Sequence, residues 1–308
     1  MHKKYVVDFK NCISHDDVIR KLNFVFSDIE FGDVVDITLD FYAFRDFIYP
    51  DYAALIVVMI DCARNKAESI SGRIINLKKK SNSFVYLERM NFFHLIGAGF
   101  VQQNYTSSEG DYLMITKYLE ENHSEVIDTI IRLIKKNLSS INENVLLSLD
   151  YCLGEILDNI INYSEKRHGW VVAQFFSSTN KIRLIICDTG VGIPYTLNVN
   201  KSGKEKLKKE DVLFKCVEKS VTGGKGQGHG LFATATFVEE NRGALKIYSE
   251  DCMLDFKNFE DRKVNTTPFW NGAVVFLDIN TNVDVDYKKF TSEVFDQKEY
   301  FKECSGLW

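Results

Sequence analysis

The sequence predicts an α/β protein organised as two units, and three observations carry that reading. Its 308 residues exceed one ordinary domain of ~100–200 residues. Hydrophobic residues make up 45%, charged residues 26%, and there are only 3 Pro, the balance of a chain that buries cores rather than one that stays disordered or collagen-like. Strand-like runs rich in β-branched residues alternate with capped or amphipathic helix-like runs, the pattern of sheets covered by helices.

In the first third, Val34 to Phe41 reads as a strand, and Pro50-Asp51 opens a helix through Tyr52 to Ala63, with Pro at the first position and an acid in the first turn. Gly72 to Leu77 reads as the next strand. Ser81-Asn82-Ser83 then leads into a helix over Phe84 to Met90, and Val101-Gln102 is a candidate edge strand. From Lys117 to Leu138, apolar Val126, Ile127, Ile130, Ile131, Leu133 and Ile134 recur at helical spacing, which predicts an amphipathic helix linking the units over 113–140. Its apolar stripe packs on its own domain or forms the seam of a homodimer. The second unit then reads as a helix (Val145 to Tyr163), two strands (Trp170 to Phe176, Lys181 to Asp188), a Gly turn, a Lys-rich segment, a Gly cluster opening a helix (Leu231 to Asn241), and closing strands at Ala244 to Ser249, Cys252 to Lys257 and Gly272 to Ile279. The expected domains are 1–112, the linker 113–140, 141–283, and a charged, aromatic tail over 284–308 that docks as a helix or stays disordered.

Charge and cysteine usage narrow the function classes. The 38 Lys and Arg against 43 Asp and Glu leave a net charge of -5, which argues against a general nucleic-acid binder and against attraction to anionic lipid. The apolar run Tyr52 to Ile60 is far shorter than the ~18–20 residues that span a bilayer, and Met1 to Lys10 lacks the apolar core of a signal peptide. The 7 Cys are scattered with no Cys-x-x-Cys pair, as expected of reduced cytoplasmic thiols and not of structural zinc.

Three segments of the second unit carry chemistry. Glu155 and Asn159 lie four apart and share one helix face, so a carboxylate that can polarise a water or hydroxyl stands beside an amide oxygen that can coordinate Mg²⁺. Asp188-Thr189-Gly190-Val191-Gly192 follows the apolar strand Leu184 to Cys187; an Asp there can accept from an exocyclic amine, and the glycines let backbone approach a planar ring. The run Gly223 to Leu231 holds five glycines ahead of a helix and offers free N–H groups at a positive dipole end, as a polyphosphate requires, though it lacks the Gly-Lys-Ser/Thr ending of a Walker loop.

Together and in this order, these segments resemble the N, G1 and G2 boxes of the GHKL ATP-binding fold shared by gyrase-type topoisomerases, heat-shock chaperones, histidine kinases and mismatch-repair ATPases. The likeness covers Asn142 to Ile279. It implies an α/β sandwich, a mixed sheet with helices on one face, binding ATP with Mg²⁺ under a mobile lid over Tyr195 to Thr222. In that likeness Asp188 would bind the adenine amine, with Gly190 in the same turn and Gly192 beside the base. Asn159 would hold Mg²⁺ and Glu155 would be the general base. Gly226, Gly228 and Gly230 would cradle the phosphates, with His229 and Leu231 in the same stretch. One departure is Gly272-Ala273-Val274, where the family often has Thr, so that a hydroxyl near the adenine is missing or supplied elsewhere.

The N-terminal third resembles a STAS-type domain, the fold of anti-sigma-factor antagonists, with Tyr49-Pro50-Asp51 at the turn where that family carries a phosphorylatable Ser. Asp51 there reads as a helix-start acid, with a fixed negative charge as the alternative. The joint expectation is an Mg-ATP-binding regulator of the anti-sigma Ser/Thr-kinase-like type acting on a protein partner, a slow ATPase or protein kinase. The alternatives are an ATP-gated dimerising ATPase with no protein acceptor and a non-hydrolysing ATP sensor. A base at Glu155 favours water or a Ser/Thr hydroxyl as acceptor over imidazole. His123 reads as an exposed helix-start residue, not a phospho-acceptor.

Overall fold

The computed structural model describes residues 1–44, 46–98, 112–137, 143–199, 206–219, 221 and 230–294. The chain runs β1 (His2–Asp8), α1 (His15–Leu22), α2 (Phe24–Ser27), β2 (Val34–Asp40), α3 (Pro50–Lys66), β3 (Ser69–Ile75), α4 (Asn82–Arg89), α5 (Phe92–Leu95), β4 (Tyr112–Leu119), α6 (His123–Asn137), α7 (Glu143–Tyr163), β5 (His168–Phe176), β6 (Lys181–Cys187), α8 (Ile193–Asn198), α9 (Lys209–Lys215), α10 (Gly230–Glu240), β7 (Ala244–Phe256), β8 (Lys263–Asn280) and α11 (Tyr287–Val294). The candidate strand at Val101-Gln102 lies outside the described residues.

Local chemistry sets the helix starts. At α1 the Ser14 hydroxyl accepts from the Asp17 N–H at 3.3 Å and the Asp17 carboxylate accepts from the Ser14 N–H at 3.1 Å, a reciprocal capping box. Ser81 caps α4 by accepting from the Phe84 N–H at 3.2 Å. α3 begins on Pro50 and is buried along almost its whole length, from Pro50 through Met59. A helix that is apolar all round needs partners on every side. α3 has them, because it lies between two sheets.

On one side of α3 is a parallel three-stranded sheet in the order β1-β2-β3. On the other is a five-stranded sheet in the order β4-β5-β6-β8-β7. Strand alternation gives the second sheet two buried faces. Val171, Leu184, Ile186, Val275 and Leu277 pack with α6, α7 and α10, whereas Val172, Ile185, Val274 and Phe276 pack with α1, α3 and the N-terminal sheet. The molecule is therefore layered: helices, five-stranded sheet, helices, three-stranded sheet.

The α/β class and the sandwich are as expected, with several corrections. Every neighbouring pair in the five-stranded sheet is antiparallel, so that sheet is not mixed; parallel pairing is confined to the N-terminal sheet. The linking helix expected over 113–140 is instead a strand, β4, followed by a turn and α6. β4 pairs with β5 and so belongs to the second sheet. The α6 stripe, with Val126 5% and Ile130 and Ile134 0% exposed, is buried in the core it shares with α7. The closing strands fuse into one long β7–β8 hairpin, with register shifts around Glu250. The tail begins as α11, whose Phe290 and Val294 are fully buried. No helix among the described residues is long and apolar enough to cross a membrane.

Asp51 does not present a surface charge. It is wholly buried, its Oδ1 accepts from the Tyr52 N–H at 3.1 Å, and its Oδ2 lies 2.6 Å from His15 Nε2 and 3.7 Å from Arg183 of β6. It joins the two units.

Candidate functional site

The site is built where the end of α7, the turn after β6 and the start of α10 meet. One turn of α7 separates Glu155 and Asn159, and the chain brings Gly230, the first residue of α10, onto that face. A Cβ at Gly230 would fall 2.8 Å from both Asn159 Nδ2 and Glu155 Oε2. Only glycine leaves both side chains in place, so the carboxylate, the carboxamide and the free N–H end of α10 converge. Glu155 also lines a groove of about 400 Å³ between α6 and α7, shared with Ser124, Asp128, Asp150 and Asp158.

Asp188 follows directly on β6. Its Oδ1 accepts from the Gly190 N–H at 2.6 Å and its Oδ2 from the Ala273 N–H at 3.2 Å. Burial pushes its carboxyl up to about 7, against the opposing pull of those two backbone donors. The turn is pinned to α7, since the Val191 N–H donates to the Ser164 carbonyl at 3.2 Å and a Cβ at Gly190 would overlap that same carbonyl. The helix carrying Glu155 and Asn159 thus ends on the turn carrying Asp188.

Two glycines of the turn region adopt left-handed backbone. Gly192 (φ +81) precedes α8 and faces Ser249, and Gly272 (φ +105) faces Asp188, where a Cβ would stand 2.7 Å from Oδ1. The Ser249 hydroxyl donates to the Gly272 carbonyl at 2.6 Å and accepts from the Ile193 N–H at 3.0 Å. A hydroxyl near this turn is therefore supplied from β7, the strand beside Gly272-Ala273-Val274. Sequence reasoning missed Ser249 and Trp270 because only the β7–β8 register and the β8–Asp188 contact bring them here. Trp270 Nε1 donates to the Asp188 carbonyl at 2.8 Å.

Of the glycine-run residues, Gly226, Gly228 and His229 lie outside the described residues; Gly230 stands against Glu155 and Asn159, and Leu231 is half-buried against the helix-side core. The segment over Tyr195 to Thr222 is not a plain Lys-rich loop: it contains α8 and α9, and α9 buries Val212 and Leu213. Lys209 pairs with Asp251 at 2.6 Å. His123 Nε2 lies 3.4 Å from Asp158 Oδ1 at the start of α6.

The arrangement suits a nucleotide chelated to a hard cation. Glu155 offers a hard oxygen donor at the Gly230 cradle, of the kind Mg²⁺ takes, and Asn159 brings its carboxamide to the same place with Nδ2 toward Gly230. Asp188 offers a buried acceptor bordered by glycine backbone. Residues 144–270 match the family described as histidine kinase-, DNA gyrase B-, and HSP90-like ATPase. The stretch from α7 into β8 is therefore similar to a GHKL-type ATPase domain, a likeness that implies ATP binding. No curated protein matches the chain.

Proposed function

We propose that this chain is a cytoplasmic, Mg-ATP-binding regulator of the anti-sigma Ser/Thr-kinase-like type, in which a STAS-like N-terminal unit and the ATPase domain at 144–270 control a protein partner through nucleotide state. One observation carries the regulatory part: the N-terminal unit grips the Asp188 turn from behind. The indole that donates to the Asp188 carbonyl, Trp270, packs edge-on against Phe26 of α2 with ring centroids 5.6 Å apart. Nucleotide at the turn and partner at the N-terminal unit would bias one shared element, which is what coupling between two sites requires. The β2–turn–α3–β3 order supports the STAS-like part, and the odd, scattered cysteine set supports the cytoplasmic setting.

In this reading Glu155 accepts the proton of a water or a Ser/Thr hydroxyl, reached through the α6–α7 groove, and Asn159 helps hold Mg²⁺ at the Gly230 cradle. Mg²⁺ supplies neutralisation of phosphate charge. Asp188 orients the base. Binding of labelled ATP, followed by separation of free phosphate from phosphoprotein, tests the activity: saturable Mg-dependent binding is expected, and no retained nucleotide would refute it. Phe26→Ala tests the coupling. It reaches the site only through Trp270, yet is expected to shift ATP affinity several-fold; wild-type affinity would refute a link through Trp270.

A further inference from the structure

The five-stranded sheet carries one buried polar atom that the arrangement above does not use. Tyr118, near the end of β4, is 0% exposed, and its hydroxyl has no hydrogen-bond partner among the described residues. Buried tyrosines ordinarily find a partner for their O–H, so an unsatisfied one asks for an explanation.

Its position is set by register. Tyr118 pairs with Gly169 of β5. The next β5 residue, Trp170, pairs with Cys187 of β6, which places Gly169 level with Asp188. Tyr118, Gly169 and Asp188 thus form one row across three strands, spanning about 10 Å at ordinary strand spacing. A register shift between Leu113 and Thr116 turns Tyr118 onto the helix-side face, the face that alternation from Leu184 and Ile186 assigns to Asp188. Gly169 opens the way. A Cβ there would lie 2.7 Å from Tyr118 Cε1 and overlap the hydroxyl, so the ring lies flat over Gly169 and points along the row toward Asp188. Burial and then the nearby Asp188 carboxylate raise the Tyr118 pKa well above its usual value, which keeps the hydroxyl a neutral donor.

We propose that Tyr118 is a base-recognition residue: its hydroxyl donates to the ring nitrogen N1 of adenine, beside the amine from which Asp188 accepts. The assignment rests on the nucleotide reading of the cleft. It adds a second polar contact to the base edge, from a strand outside the stretch 144–270.

Calorimetric titration of the full chain with ADP and with 1-deaza-ADP, in which a C–H replaces N1, tests it against Tyr118→Phe. Wild type is expected to bind ADP about ten-fold more tightly than 1-deaza-ADP, the loss typical of one buried hydrogen bond. Tyr118→Phe is expected to lose that factor for ADP, to bind both ligands equally, and to keep or raise its Tm, since an unpaired buried hydroxyl is removed. Wild type that binds ADP while Tyr118→Phe binds it equally well overturns the assignment alone. So does a variant that still discriminates the two ligands, or one with lowered Tm and both ligands weakened to the same degree. Wild type that binds neither ligand overturns the nucleotide reading itself.

Discussion

Asp188→Asn should make the protein more stable while weakening its nucleotide binding. An ordinary aspartate titrates near 3.8, and burial pushes Asp188 up to about 7. At about 1.4 kcal/mol per pH unit, the fold at pH 8 carries a penalty of about 4 kcal/mol for holding this group charged. Asparagine removes the charge but not the geometry. Its oxygen satisfies one of the two backbone donors, Gly190 or Ala273, and its NH₂ faces the other, which costs about 1–3 kcal/mol. The net gain is about 1–3 kcal/mol at pH 8. The sign with pH follows from the raised value: the carboxyl favours the fold fully below about 3.8, and that contribution is lost as pH climbs through about 7. The variant's advantage should therefore grow across that window and turn below it into a deficit of about 1–3 kcal/mol, the cost of the facing NH₂ alone. Thermal unfolding of both proteins from pH 4.5 to 8 measures this, and calorimetry with ADP measures the binding. Wild-type affinity should rise as pH increases to about 7 and then level, because the acceptor form is the carboxylate. The variant should bind at least ten-fold more weakly with no such rise, a charge-assisted bond being worth about 1.5–3 kcal/mol. A variant less stable than wild type at pH 8, or a stability difference independent of pH, would refute the reasoning.

Gly230→Ala places a methyl 2.8 Å from the far ends of Asn159 and Glu155, which can swing aside; Tm should change little while Mg-dependent ATP binding falls ten-fold or more, and wild-type binding would show that those side chains do not meet the nucleotide. Glu155→Ala should leave ATP affinity nearly intact and abolish turnover, checked by phosphate release; unchanged turnover removes Glu155 from the chemistry. Asn159→Ala should lose the part of ATP affinity that depends on Mg²⁺, so identical Mg²⁺ dependence in both proteins counts against the metal role.

The features that sequence alone made legible are those governed by chain neighbours. Pro50 starting α3, Ser81 capping α4, the four-residue spacing of Glu155 and Asn159, and the apolar run that ends at Asp188 all express backbone periodicity and turn chemistry within a few residues. Where apolar spacing was ambiguous, neighbours misled: Lys117 to Leu119 merged into a helical pattern, although their partners are Trp170, Gly169 and His168 on β5, some fifty residues away.

Tertiary structure decided what depends on pairing across long separations. The fully apolar face of α3 gave no hint that a second sheet covers it, or that Asp51 would be sealed between His15 and Arg183. Ser249 reaches the Gly192 turn, and Tyr118 reaches across Gly169, only because strand register sets them in those rows. Residue types and local spacing determined which chemistry this chain can hold. Sheet register and the packing of two sheets on one helix decided which groups stand within reach of each other, because a one-residue slip in pairing would turn each of them to the opposite face.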